Sequence, residues 1–211
     1  MNLLNPDDLK KQEQMARKFQ DILEGKFVTL RKTTVDDAAD IYKWRSGPAG
    51  IFMRQPANYS LEAQQKWILS RGNNEINYII CDKFSGEKVG TIGIYDINEA
   101  DKVANVGRLL LGDTWLTKSN PFGLEAMLLC YAYVFESMQF RKITGDIIAS
   151  NADMVKLQTY LGMQQEGLLS KHVFINGQYQ DLHIMSLFAE DFANRYTRRI
   201  NIFLKAFEDK I

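Results

Sequence analysis

The sequence predicts an α/β fold with a mixed sheet of seven strands and helices on its faces. Three observations point there. Short alternating or apolar runs, each bounded by turn-forming residues, recur along the chain. Stretches with apolar residues at three- and four-residue spacing fall between them. The resulting order, β-α-α-β-β-β-α-β-α-β-β, is that of a layered α/β domain.

The elements follow in order. Asn5-Pro6-Asp7-Asp8 has the cap, the first-turn proline and the acids of a helix start, and predicts a helix over 1–25 that ends at Gly25. Its apolar stripe is thin. "FVTLR" alternates as the first strand, and Thr34 with Asp37 resembles a capping box that opens a helix through Ile41, Trp44 and Arg45. The loop "SGPAGIFMRQPANY" leads to Ser60, which caps a second helix. "INYIICD", "KVGTIGIYDI" and "VANVGRLLLG" are separated by the turns "KFSGE" and "NEADK", and predict antiparallel hairpins. A helix over Phe122 to Met138, the strand "KITGDIIA", and a short helix from Asn151 to Gly162 come next. "GLLSKHVFI" and "YQDLHIMSLF" meet at Asn176-Gly177, a strong hairpin signal. The last helix, over 189–211, carries the stripe Phe192, Tyr196, Ile200, Phe203, Phe207 and Ile211, and the expectation is that it pairs with a second copy in a homodimer rather than folding back.

Composition narrows the function. The 211 residues and 45% hydrophobic content suit one domain, 1–211, with a core over 27–188. With 26 basic and 26 acidic residues the net charge is zero, so neither nucleic acid nor a membrane surface is an expected partner. The first residues lack signal-peptide character, and no run approaches the roughly 18 apolar residues of a membrane helix. Cys81 and Cys130 lie apart in apolar surroundings, which predicts reduced thiols, a cytoplasmic location and no metal site.

The stretch "KSNPFGLEA" raises a sharper possibility. A strand that turns through small residues into a helix can present N–H groups to a phosphate. Here Asn120, Phe122, Gly123 and Leu124 would donate and Lys118 would add charge. The same residues read equally well as an ordinary helix beginning.

Other segments tip that balance. "NADMVKLQTYLGMQQEG" and the hairpin after it, "GRLLLGD" before "KSNPFGLEA", and "FVTLRKTTVDDAADIYKWR" together resemble the GNAT N-acetyltransferases, in their ribosomal-protein and sugar-nucleotide branches, with element order matching over 27–188. The resemblance implies a GNAT fold whose central parallel strands splay near Leu111 and Ile148, with acetyl-CoA as co-substrate in the gap. It implies that backbone groups of Leu109, Leu110 and Leu111 hold the pantetheine, one of them polarising the thioester carbonyl. The turn from Lys118 to Gly123 would take the pyrophosphate, and Asn151 would contact the cofactor arm. Where many members carry a glutamate base this chain has Asn105, where many carry a tyrosine acid it has Gln158, and Pro121 replaces a loop glycine.

Two titratable residues are candidate catalysts instead, Asp96 at a strand end and His183 on the last strand, although each also reads as a turn former or a structural residue. Trp44, Arg45, Phe52, Met53, Arg54 and Tyr59 combine aromatic faces with guanidinium groups, as a stacked base and a phosphate require; Trp44 and Trp67 as core, with the arginines solvated, is the competing reading. The acceptor expected is a small-molecule amine on a sugar nucleotide. A protein N-terminus and a GNAT-fold acyl-CoA-binding module without catalysis are the alternatives. An acidic groove would favour the N-terminus, and a positive, aromatic-lined one the sugar nucleotide.

Overall fold

The computed structural model describes residues 19–56, 58–112, 119–175 and 177–208. Among them, one sheet of eight strands runs in the order β1-β2-β3-β4-β5-β6-β8-β7. The strands are β1 (Ile22–Glu24), β2 (Val28–Lys32), β3 (Ile76–Asp82), β4 (Lys88–Asn98), β5 (Val103–Leu111), β6 (Lys142–Ile148), β7 (Gln164–Ile175) and β8 (Gln178–Phe188). All neighbours are antiparallel except β5 and β6. The helices are α1 (Ala38–Ser46), α2 (Leu61–Leu69), α3 (Phe122–Ala132), α4 (Ala152–Leu161) and α5 (Thr197–Glu208), with π turns at Tyr133–Ser137 and Phe192–Tyr196.

The expected seven strands become eight because the expected N-terminal helix does not reach Gly25. Ile22–Glu24 pairs with β2, placing Leu23 opposite Leu30 in the core while Ile22 and Glu24 face out. Ahead of it, Gln20 donates its N–H to the Tyr133 hydroxyl at 3.0 Å and accepts from Tyr78 at 2.9 Å. The rest of the expected helix lies outside the described residues. The turn from β1 to β2 rests on Glu125 of α3, a buried carboxylate that accepts from the N–H groups of Lys26, Phe27 and Val28 at 2.7–2.8 Å. A Cβ on Gly25 would lie 2.6 Å from that carboxylate, so this turn requires glycine.

The C-terminal segment folds back onto its own domain, the alternative to the pairing expected of its stripe. Phe192, Tyr196, Ile200 and Leu204 are buried within the main core cluster, so its stripe is covered by the chain itself. Phe203 stays outside, edge-on to Tyr160 at 5.7 Å. Ile211 lies outside the described residues.

Ser60 caps α2 as expected, accepting from the Ala63 N–H at 3.2 Å. Asn151 precedes α4 without a side-chain cap bond, since its backbone (φ −84°, ψ 57°) is not the extended conformation capping uses. Asp37 pins the start of α1: Arg31 grips it through two bonds of 2.6 and 2.8 Å, and Lys88 approaches to 2.8 Å.

Two bulges shape the middle of the sheet. On β4, Asp96 and Ile97 oppose Ala104 alone between the pairs Tyr95↔Asn105 and Asn98↔Val103, and Asp96 adopts φ 49°. On β5, Arg108 and Leu109 oppose Ile92 alone, and Arg108 adopts φ 57°. The parallel ladder of β5 and β6 covers only Val103↔Lys142, Ala104↔Ile143 and Asn105↔Thr144. At its last rung Asn105 joins three strands: its amide donates to Asp96 at 2.9 Å and its carbonyl accepts from the Thr144 hydroxyl. Past this clamp β6 continues with β8 through Ile148↔Leu182, and β5 continues with β4 through Gly90↔Leu111. The two parallel strands part.

Two outcomes are expected. Asn105→Glu, which restores the residue common in resembling sequences, should destabilise the protein by roughly 1–3 kcal/mol in urea unfolding, because it sets a carboxylate beside Asp96 and deletes a donor; equal or greater stability would contradict the clamp. Burial alone would raise the Asp37 carboxyl, but hydrogen bonds from Arg31, Lys88 and the Thr34 N–H outweigh it and hold the group well below the usual carboxylate range. A depressed folded value stabilises fully above the unfolded value of about 3.9 and less as pH falls below it. Asp37→Asn should therefore cost roughly 1–3 kcal/mol at pH 7, with the gap to the parent narrowing below about pH 4. A gap that is constant down to pH 2 would contradict this.

Candidate active site at the parting of two parallel strands

The parting opens a cavity of about 430 Å³. One wall is Val106, Gly107, Arg108 and Leu109 of β5, and the other is Gly145, Asp146, Ile147 and Ile148 of β6. The strands are still close at the apex, where a Cβ on Gly145 would lie 3.4 Å from the Val106 carbonyl. Beyond it, this edge of β5 is no longer laddered to β6, so its main-chain groups are available to a bound molecule.

The cavity has two ends of different chemistry. At one, Met127 and Tyr131 of α3, and Asn151, Met154 and Gln158 at and along α4, form a largely apolar lining. Gln158 is buried; its amide nitrogen lies 3.0 Å from the Met127 sulfur, and its carbonyl oxygen has no partner. At the other end, Arg45, Phe52, Met53, Arg54 and Tyr59 come from α1 and the loop after it, and Gln64 and Trp67 from α2. The Arg45 guanidinium lies 5.5 Å from the Tyr59 ring and donates to the Arg54 carbonyl at 2.9 Å, while its Nε is buried without a partner. Tyr59 donates to Gln64 at 2.9 Å. Burial, offset in part by Arg45, pushes the Tyr59 phenol up.

Arg108 reaches across between these ends. Its left-handed backbone turns the side chain over the Tyr95 ring at 4.1 Å and toward Trp67 at 5.2 Å, where Glu75 and Asn77 hold it. Trp67 thus lies between Arg108 and Arg71, the latter 4.4 Å from its ring. Burial first, and Asp146 second, push the Tyr95 phenol up, so Tyr95 stays protonated at neutral pH.

Five of the six expected acceptor residues, Arg45, Phe52, Met53, Arg54 and Tyr59, line this cavity, as do Leu109, Asn151 and Gln158. Trp44 does not: it is core, packed with Ile41, Ile79 and Leu110 under Gly112. Leu110 is buried in that same cluster because it points away from the parting. Leu111 packs at the edge of the main core, near Gly123. At the start of α3 the Asn120 side chain accepts from the Phe122 N–H at 3.1 Å, so that donor is already engaged. Phe122 is buried, Leu124 packs on the core, and a Cβ on Gly123 would meet only Leu109 and Leu111 side chains at 3.7 Å. Lys118 lies outside the described residues. Asp96 and His183 are not among the cavity residues: Asp96 is tied to Asn105, and the His183 ring to Gln165 at 2.9 Å.

Sequence reasoning missed Arg108, Tyr95 and Asp146 as cavity residues. Gly107 inside a strand pattern was the one available signal, since such a glycine marks a bulge or a close approach. A Cβ there would stand 2.9 Å from the Tyr95 hydroxyl.

Comparison with known proteins agrees with this architecture. The family model described as an acetyltransferase (GNAT) domain matches residues 28–164. Among curated relatives, the uncharacterized N-acetyltransferase YoaA of Bacillus subtilis is 23% identical over 172 residues, covering 79% of this chain and 96% of the relative. The probable N-acetyltransferase YjcK of the same organism is 24% identical over 184 residues, covering 81% and 98%. Among solved structures, spermidine N-acetyltransferase from Vibrio cholerae in complex with CoA and spermine aligns with a TM-score of 0.71 at 20% identity, over 81% of this chain and all of that one. A GCN5-related N-acetyltransferase from Brucella melitensis gives 0.71 at 19%, over 85% and 84%. At these identities the structural likeness concerns the fold. The family model spans most of the sheet, including both walls of the cavity, and the chain belongs to the GNAT N-acetyltransferases, whose reaction moves an acetyl group from acetyl-CoA to an amine.

Proposed function

We propose that the protein acetylates a primary amine on an acceptor that also carries negative charge and an aromatic base, an amino group on a nucleotide-linked sugar being the best match. One observation carries this reading: among the described residues, three arginines and a single carboxylate line the cavity, with Tyr59, Trp67 and Tyr95 between them. A planar guanidinium binds a diphosphate bidentately, and aromatic faces stack a base. A basic protein N-terminus needs the opposite sign. So does a polyamine; spermine is the ligand of the Vibrio cholerae protein, and in this cavity a polycation would meet Arg45, Arg54 and Arg108.

Acetyl-CoA fits the parting. It supplies a thioester carbonyl and a thiolate leaving group. The edge of Gly107–Leu109 that faces β6 is unladdered main chain along which a pantetheine arm can bond, although the Arg108 carbonyl already accepts from Thr91, and the buried, unpartnered carbonyl of Gln158 offers an acceptor to an amide N–H of that arm. The first turn of α3, with Gly123 and Leu124, has N–H groups without intrahelical partners and the positive end of a helix dipole for a pyrophosphate. Asn105 and Gln158 do not reproduce the family's usual glutamate and tyrosine. In this chain one is a clamp and the other a wall.

Acetyl-CoA should raise the melting temperature of the protein, with a shift that grows as the logarithm of its concentration over Kd. Gly123→Val should reduce that shift, because the added branches fill the surface beside Leu109 and Leu111; an undiminished shift would remove the α3 start from the donor site. Arg54→Ala should raise KM for UDP-glucosamine by one to two decades, the equivalent of roughly 1.5–3 kcal/mol for a charge-assisted bond, and leave KM for glucosamine unchanged. Equal losses on both sugars, or none, would return the protein N-terminus to first place.

A further inference from the structure

The acceptor end of the cavity holds one carboxylate among the described residues, Asp146. It sits on β6 two residues past the last parallel rung, on the wall facing Gly107–Leu109. Its backbone is fixed by pairing with Ile184 of β8, and its side chain is 28% exposed. Its partner is Arg54, at 3.3 Å, and Arg54 is itself half-exposed on an irregular loop. The pair is therefore long and exchangeable, unlike the other acidic contacts nearby. Glu75 is held by both Arg71 and Arg108, and Asp96 by Asn105.

We propose that Asp146 receives the acceptor's amine, holding the incoming ammonium at the mouth of the parting and taking the proton that must leave before the nitrogen can attack. This rests on the reading given under Proposed function. An acceptor with both an amine and an anionic group exchanges with both halves of the existing pair, its ammonium replacing Arg54 on Asp146 and its phosphate replacing Asp146 on Arg54. Neither charge is left unpaired, and such exchange avoids the cost of stranding one. The cavity then selects for an ammonium and an anion together, which neither a polycation nor a simple phosphate ester supplies.

The step balances. One N–H bond of the ammonium breaks and its proton passes to Asp146. The freed electron pair forms the C–N bond to the thioester carbonyl carbon, and the C–S bond breaks with its electrons on sulfur. The second proton lost by the nitrogen ends on that sulfur as the thiol. The charged and titratable groups facing Asp146 are Arg54 from the loop, Tyr95 from β4 and Arg108 from β5, while its β8 neighbour Ile184 carries none.

The test compares the parent, Asp146→Asn and Asp146→Glu, each first shown to bind CoA by thermal shift. Calorimetric binding of UDP-glucosamine and UDP-glucose isolates the amine, and kcat/KM for acetylation of UDP-glucosamine is followed from pH 4 to 9. The parent should bind the amino sugar at least tenfold more tightly, and Asp146→Asn should lose that preference while still binding CoA. Its kcat/KM should fall about 10²- to 10⁴-fold, with the acidic limb of the pH profile removed and partly restored in Asp146→Glu. Equal binding of the two sugars by the parent, an unchanged kcat/KM in Asp146→Asn, or a loss of CoA binding that matches the loss of activity would overturn the role of Asp146 and leave the sugar-nucleotide reading standing. Failure of the parent to bind either sugar nucleotide would overturn both.

Discussion

Everything that makes this protein a candidate catalyst follows from how briefly β5 and β6 stay together. Parallel strands in a packed sheet normally run side by side for their whole length, because unpaired main-chain groups in a core are costly. Here the ladder stops after three rungs. Below the break, Asn105 ties Asp96, Thr144 and its own strand into one knot. Above it, the Arg108 bulge diverts β5, and an added residue is what such a diversion requires. A left-handed arginine costs about 1–2 kcal/mol; contacts with Glu75, Asn77, Tyr95 and Trp67 offset that. The same strained residue therefore opens the gap and furnishes it with a charge.

The remaining architecture holds the walls of the gap in place. The buried Glu125 carboxylate joins α3 to the turn after β1. The π turn at Phe192–Tyr196 lets the C-terminal segment press Tyr196 onto Tyr131, with ring centroids 4.9 Å apart, just behind the cavity. Asp37 secures α1, and through it Arg45, to β2 and β4. In the proposed reading the acceptor meets the loop and helices that carry Arg45, Arg54, Tyr59 and Trp67 together with Asp146 and Arg108 of the sheet, and the donor meets β5, α3 and α4.

Local sequence made the hairpins legible because their signals are local: alternation, glycine and polar turns. It made the general region of the site legible too, since a cluster such as Arg45, Phe52, Met53, Arg54 and Tyr59 is conspicuous in one stretch. It failed where tertiary pairing decides. Ile22–Glu24 has three residues and becomes a strand only because β2 is there to receive it and Leu23 finds Leu30. The apolar stripe ending the chain looks the same whether covered by another copy or by its own core. Asp146 is a single acid in the strand "KITGDII"; nothing local separates it from a solvated residue, and only the end of the ladder two residues earlier turns it into the cavity. Asp96 and His183 were conspicuous as titratable residues, yet a bulge and a hydrogen bond to Gln165 account for their places.

The central claim is that the parting of β5 and β6 is where the acyl donor binds. Hydrogen–deuterium exchange with and without CoA tests it most directly. The account predicts slowed exchange confined to residues 107–111 of β5, 145–148 of β6 and the first turn of α3, with β2 and β3 unchanged. Protection that falls elsewhere, or that spares both walls of the parting while CoA is demonstrably bound, would contradict it.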